Sequence, residues 1–547
     1  MTQLLQRKPY YRRLRVLLPA FVLQFVALAL VVWFDNSVNR GITYTPSPQP
    51  IPWADVPQAG VNLYNIQFEA DPAKVTRTLE LARDLGAHFV RMQMPWEDIE
   101  ISGKGDFWDH KYNHSAWDKY DRIINTAVQF GLEPIVRLDR PPAWARIHAD
   151  ATPEFQRGKQ ENAASTGPPD NYVDYGDFVA TVAARYRGKV RFIQLWNEPN
   201  LAYEWNWQRP DPEQFVELLR IGYAAAKAAN PDVVVLFPSL SPTDGLDVYR
   251  APISDLEYLD RVYTAGGGRY FDIMSAQAYG LGQPPEEHRY VYLRKPSNWS
   301  WTQPVDTRID VSRLVLVREV MEQHHDSNKA IWVSEVGYNS APEGIPNRTK
   351  WGQPVSEEQK GAYLVGQFER ARQEWPWVGV MNVWFLRWGG EAPNPNDPTA
   401  YFAIVDHNFN PLPAYTALKA YLAQGPIAGV GAHVWSHPAV SQRADGGWDL
   451  RFIGNTLAFS GTGQFRVTID DDASVDVTLA GPGRAVPVAQ KLGDGTHTAV
   501  IQGTAGVPDV FIVGRAPPLP WLWTLGPALL IAGLVLTGAL TARALID

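Results

Sequence analysis

Eight short apolar runs, each followed by a stretch that can form a helix or a long loop, constrain this chain more than any other feature. The runs are GVNLYNIQF around Val61, AHFVRMQM around Phe89, EPIVRLD around Ile135 and VRFIQLW around Ile193, then DVVVLFPS around Val234, FDIMSAQAY around Ile273, KAIWVSEVGY around Trp332 and VGVMNVWFL around Val383. Between them, DPAKVTRTLELARDLG, AWDKYDRIINTAVQFG, YGDFVATVAARYRG, DPEQFVELLRIGYAAAKAAN and SEEQKGAYLVGQFERARQ carry apolar residues at helical spacing, several opening on an Asp or Ser cap. Apolar strands alternating with helices belong to a parallel sheet covered on both faces. Eight such units predict an α/β fold, a closed (β/α)8 TIM barrel, over residues 59–425.

The connections are asymmetric. Those from helix into strand are brief. Those after strands are long and rich in Trp, Pro and Gly, as at Ala151–Tyr172, Leu281–Thr307, Ala341–Pro354 and Gly389–Thr399. In such barrels the loops that follow the strands build the functional face.

A chain of 547 residues is too long for one core. Residues 426–515 change texture to short alternating runs punctuated by Gly, Asp and Pro, and predict a small β-sandwich. Residues 35–58 hold the Pro-rich stretch TPSPQPIPWADVP and read as a semi-rigid spacer. Residues 16–34 are nearly all apolar, with Gln24 the exception, and follow the basic segment 1–15. Their length suits an uncleaved transmembrane helix better than the shorter apolar core of a signal peptide, and the positive flank puts the N-terminus in the cytoplasm. Residues 519–542 are uncharged and predict a second span, with Trp521 and Trp523 at the outer interface. Two spans place everything between them outside the cell membrane.

A net charge of -8 without a basic stripe gives no reason to expect a nucleic-acid partner. The absence of cysteine excludes disulfides and thiolate metal sites. No Gly-rich phosphate loop or Ser nucleophile elbow is present, so no cofactor and no metal are expected. His324-His325 reads as solvated, and Asp470–Asp472 as a tight turn.

The chemistry lies in two glutamates. Glu198 ends the fourth run in WNEPN, and Glu335 ends the seventh in WVSEVGY. A carboxylate at the end of a doubly covered strand faces a large desolvation cost unless it opens into a cleft. Strands four and seven face each other across the barrel mouth. Two carboxylates across a cleft suit glycosidic cleavage, one protonating the leaving oxygen and the other attacking or activating water.

WNEPN and WVSEVGY resemble the retaining β-glycosidases of glycoside hydrolase clan A. The resemblance covers the barrel and is closest to family 39, with family 5 cellulase-like enzymes next. It implies that Glu198 is the general acid/base and Glu335 the nucleophile. Asn197 would bond the sugar hydroxyl beside the reacting carbon, Arg91 would hold the nucleophile ionised, Tyr279 would stand beside it and Trp384 would floor the sugar site. Gln277 departs from the family, which usually has His-x-Tyr where this chain has Gln277-Ala278-Tyr279. Aromatic platforms for sugar C–H faces are expected among Trp96, Trp144, Tyr203, Trp205, Trp207, Trp299, Trp301 and Trp388, with YEWNW after the acid/base as a leaving-side subsite.

The expectation is a membrane-anchored glycosidase acting on β-linked polysaccharide or oligosaccharide, the topology favouring the cell's own exopolysaccharide. A transglycosylase with the same site and a non-catalytic polysaccharide-binding or assembly protein are the alternatives.

Overall fold

The computed structural model describes residues 9–39, 41–162, 164–286, 310–470, 472–493, 495–517 and 520–546. The eight apolar runs form β1 (Ala59–Asn62), β2 (Phe89–Pro95), β3 (Glu133–Asp139), β4 (Phe192–Leu195), β5 (Val234–Leu236), β6 (Met274–Tyr279), β7 (Ile331–Gly337) and β8 (Val378–Val383). All neighbours pair in parallel, in the order β5-β4-β3-β2-β1-β8-β7-β6. Between β5 and β6 the sheet is joined by the single parallel bridge Leu236–Ile273 and by the Phe237 N–H, which donates to Ile273 O at 2.9 Å. The barrel is thus nearly closed.

A helix follows each strand. After the N-terminal α1 (Pro9–Val38) come α2 (Pro72–Leu85), α3 (Asp118–Gln129), α4 (Tyr172–Arg185), α5 (Pro212–Ala229), α6 (Asp255–Thr264), α7 (Arg313–Gln323), α8 (Glu357–Glu374) and α9 (Pro413–Leu422). Their ends follow from local chemistry. Asp71 caps α2 through the Ala73 N–H, and Gly86 closes that helix at φ 91°. Ser356 and Gln359 form a reciprocal capping box at α8.

The lower barrel is filled by Phe89, Ile135, Phe192, Ile273, Trp332 and Val380. The Pro-rich stretch expected to be a spacer is packed beneath this layer instead. Trp53 meets Phe192 edge-on at 5.7 Å, and its carbonyl accepts from Trp332 Nε1 at 2.8 Å. An indole at that position hides apolar surface that an open barrel end would leave wet.

The second domain differs from the expected sandwich. Its strands are β9 (Gly431–Val434), β10 (Val440–Gln442), β11 (Trp448–Ile453), β12 (Thr456–Ile469), β13 (Val475–Ala489), β14 (Thr496–Ala505) and β15 (Pro508–Gly514). They form one antiparallel sheet, β9-β15-β12-β14-β11-β10, with β13 paired to β12. The first part of β12 pairs with β15 and the second with β14, while β13 follows it along its length. Gly461 (φ 134°) and Gly463 (φ 132°) let β12 bend at the changeover. One sheet curls into a half-barrel around Phe452, Phe459, Phe465 and Phe511.

The chain also holds α10 (Pro520–Ile546). Arg13–Asp35 and Pro520–Ile546 are long and apolar enough to cross a membrane. The two helices pack together, with Phe34 stacked on Trp523 at 5.8 Å and Thr537 Oγ1 donating to Gln24 Oε1 at 2.9 Å. Leu519, the first residue of the expected second span, lies outside the described residues.

Candidate active site

β4 ends at Leu195, and the chain turns through Trp196 (φ 72°) and Glu198 (φ 40°), both left-handed. Such conformations are strained for non-glycine residues and need support. The neighbouring β5 end supplies it. The Glu198 N–H donates to Ser239 O at 2.9 Å, and Asn200 and Ser241 exchange bonds of 2.8 and 2.9 Å. The turn takes Glu198 out of the strand direction and over the barrel mouth.

Glu335 is placed by a register shift. Ala276 of β6 pairs with Val333 of β7, but Gln277 pairs with Glu335, so β7 carries one extra residue at Ser334. Gln277 and Tyr279 then share one face of β6. Gln277 Nε2 donates to Glu198 Oε1 at 2.6 Å, and Tyr279 OH donates to Glu335 Oε2 at 2.6 Å. Burial, followed by the charge of Glu335, pushes the Glu198 carboxyl up to about 7, while the bond from Gln277 works the other way. Burial and the charge of Glu335 raise Tyr279 well above the usual phenol range, keeping it a neutral donor.

Arg91 is 3% exposed and is oriented by three acceptors. Its Nη1 reaches Glu335 Oε1 at 3.2 Å and Asn62 Oδ1 at 2.7 Å, and its Nε reaches Gln194 Oε1 at 3.0 Å. Asn62 donates to Ser334 O at 2.9 Å and Gln194 to Trp196 O at 3.0 Å. One guanidinium therefore ties together β1, β4, β7 and, through Gln194, the turn that bears Glu198. Asn197 Oδ1 accepts from Arg137 Nη1 at 3.1 Å, Arg137 Nε lies 2.8 Å from Asp139, and Asp139 accepts from Gln93 at 2.8 Å. Sequence reasoning missed Asn62, Arg137, Asp139 and Gln194. The signal was a polar residue inside a buried run, which needs a partner at the strand end.

The aromatic residues divide. Trp384, half-buried, meets Tyr64 edge-on at 5.1 Å, and Tyr64 stacks on Phe385 at 4.6 Å and meets Trp388 at 4.9 Å. These rings wall the β1–β8 side of the mouth. Tyr203, also half-buried, lies near both glutamates, whose charges join burial in raising its hydroxyl. Trp96 is not a platform: it is fully buried, stacked on Phe178 at 5.4 Å and bonded to Glu100. Trp205 is likewise core, packed against Trp196 and Phe215, and Trp207 is 7% exposed. Trp144 spends its N–H on Glu100 O at 2.7 Å and its edge on Trp96. The residue type predicted apolar contact, and the protein's own side chains take it. Trp299 and Trp301 lie outside the described residues.

Among the described residues, one cluster has metal-ligating side chains within reach of one another: Asp55, His433 and His437. His437 Nδ1 accepts the Ala439 N–H at 2.9 Å, so Nε2 carries the ring proton and faces Asp55 at 3.0 Å. His433 bonds Asp55 at 3.0 Å and Gly429 O at 2.9 Å. Burial takes His437 down to about 4. With that proton in place, the group is a hydrogen-bonded latch from the Pro-rich stretch to β9. Asp470 is engaged by His497 and by the Thr498 N–H at 2.9 Å, as a turn residue would be.

Residues 54–363 match the family model described as cellulase, glycosyl hydrolase family 5. A 125-residue stretch is 29% identical to Beta-glucosidase 47 of Arabidopsis thaliana, covering 22% of this chain and 20% of that relative. The match thus spans about a fifth of the curated relative's length. Among solved structures, the chain is similar to a family 39 glycoside hydrolase from the gut symbiont Bacteroides cellulosilyticus WH2, with a TM-score of 0.50 at 16% identity over 83% of each chain. It is also similar to a family 39 β-xylosidase from Caulobacter crescentus, with a TM-score of 0.45 at 15% identity over 85% of this chain and 98% of that one. At 16% identity the likeness to the first of these shows the fold alone.

Proposed function

This chain belongs to the cellulase family, glycosyl hydrolase family 5, and from that premise we propose a membrane-anchored retaining glycosidase that cleaves β-linked polysaccharide or oligosaccharide. The observation that carries the reading is the differential setting of two carboxylates. Glu198 is pushed up to about 7 and so holds a proton just below neutrality. Glu335 has a guanidinium at 3.2 Å and a phenol at 2.6 Å.

In the first step a Glu335 oxygen attacks the anomeric carbon and the glycosidic C–O bond breaks. The leaving oxygen takes the Glu198 proton. In the second step Glu198 takes a proton from water as the water oxygen attacks the same carbon, releasing Glu335 and restoring the acid. Asn197, its oxygen occupied by Arg137, has its amide N–H groups left to bond the neighbouring sugar hydroxyl. Tyr64, Trp384 and Trp388 offer apolar faces to the sugar on the far side from Glu198.

The two apolar helices support the anchoring. Val16, Leu23, Leu529 and Val535 are 66–68% exposed, a cost in water that lipid removes. The barrel then works on the outer side, on glycan made by the same cell.

The test of the chemistry is the stereochemistry of the first-formed product, followed by NMR with an aryl β-glycoside. Retention supports the double displacement. Inversion would replace it with a single displacement through water. The test of the anchoring is recovery of intact protein in the membrane fraction, and accumulation in the medium as the main form would defeat it.

A further inference from the structure

The expected leaving-side subsite, YEWNW, loses two of its aromatic rings to the core, since Trp205 and Trp207 are buried. A different residue takes their place at the surface. We propose that the substrate groove continues on the leaving-group side past Tyr203 to Tyr249, which forms an outer platform for a β-linked glycan of several units. This rests on the assignment of Glu198 as the acid.

An acid that protonates the leaving oxygen has the leaving sugar on its own side of the cleaved bond. That side is walled by the loops after β4 and β5. Tyr203 follows Glu198 and lies within its field. Its ring centre is 6.1 Å from that of Trp207, which is 5.4 Å from that of Tyr249. Tyr203 and Tyr249 are thus joined through Trp207. Half-buried Tyr203 and Tyr249, which is 51% exposed, lie on either side of the buried Trp207, which supports both.

The support is rigid. A side chain at Gly158 would meet Trp207 at 2.0 Å, so the short helix Pro153–Glu161 lies directly against the indole. The loop bearing Tyr249 is pinned as well. Its Arg250 carbonyl accepts the Ala202 N–H at 2.8 Å, and Asp247 Oδ1 accepts the N–H groups of Tyr249 and Arg250 at 3.2 and 3.0 Å. A phenol ring held exposed on a fixed backbone costs little ordering when a sugar face covers it.

The occupant is a β-linked glycan chain, because the groove begins at the carboxyl that would protonate a glycosidic oxygen. Burial, then the charge of Glu198, holds the neighbouring Glu204 carboxyl well above the usual carboxylate range.

The test uses the full-length protein in detergent micelles with β-1,4-linked gluco-, xylo- and manno-oligosaccharides of two to six units. Tyr249→Ala should lower the ratio of kcat/KM for the hexamer to that for the dimer about tenfold, and Tyr249→Trp should restore it. A ratio equal to the parent's, or an equal loss at every length, would overturn the platform. If the parent cleaves nothing, the hydrolytic assignment fails. Calorimetric binding to Glu335→Gln protein then decides the platform alone. A hexamer affinity weakened about tenfold by Tyr249→Ala supports it. An unchanged affinity, or no length-dependent binding across the panel, overturns it.

Discussion

Gln277 donates its amide N–H to Glu198 Oε1 at 2.6 Å, from the strand that also presents Tyr279 to Glu335. One strand thus serves both carboxylates, through two residues on the same face. An amide has no proton to gain or lose near neutrality, so this support stays the same across the working pH range, as a histidine's would not.

Removing that donor should move the alkaline limb of the pH profile. The bond favours the charged form of Glu198, so Gln277→Ala should raise the carboxyl further and keep the acid protonated to higher pH. The alkaline limb of kcat/KM should shift upward while the maximal rate falls. An unmoved limb would mean that Gln277 only fills space.

Substituting the two glutamates should separate their roles. Glu198→Gln should slow substrates with poor leaving groups by about 100- to 10,000-fold and spare the first step for activated aryl glycosides. Glu335→Gln should cost on the order of 10,000-fold for both kinds. Stopped-flow and steady-state assays on a matched pair of leaving groups would show it. Undiminished turnover of Glu335→Gln would remove it as the nucleophile.

The stability of the barrel should record the raised carboxyl. In the folded protein Glu198 holds its proton up to about 7, against 4.5 for the free group. The folded state binds more protons than the unfolded one in that window, so this group's contribution to stability falls as pH rises through it. The cost at pH 8 is roughly 3 kcal/mol, since each unit is worth about 1.4 kcal/mol. Glu198→Gln should therefore melt higher than the parent at pH 8 and close to it at pH 4. Thermal scans at the two pH values would check the sign.

Trp53→Ala should open the barrel floor. The indole covers Phe192, while the Trp53 backbone carbonyl that accepts the Trp332 N–H is kept in the variant. A loss of about 2–4 kcal/mol is expected, seen as a lower melting temperature with KM little changed. If the stretch were a free spacer, the melting temperature would not move.

The strand runs could be read in the sequence because a strand covered on both faces must be apolar throughout, whatever surrounds it. The positions of Glu198 and Glu335 followed, since a carboxylate ending such a strand has few places to go. The aromatic assignments were not legible in this way. Trp96 and Trp384 both follow barrel strands in similar surroundings, yet one is fully buried and the other lines the mouth. Arg137 and Gln194 were unreadable for a related reason, because their partners Asn197, in the turn after β4, and Arg91, on β2, lie far away in the sequence.

The sequence by itself determined the order of strands and helices, the two long apolar segments, and which carboxylates end which strands. These depend on periodicity and neighbouring residues, which a chain carries locally. Only the tertiary structure decided that the Pro-rich stretch plugs the barrel, that the second domain is one curled sheet, and that Gln277 bonds Glu198 while Tyr279 bonds Glu335. Each depends on a register or a contact between distant segments. Side-chain burial and hydrogen bonding at such contacts are set by which surfaces meet, and no local pattern encodes that meeting.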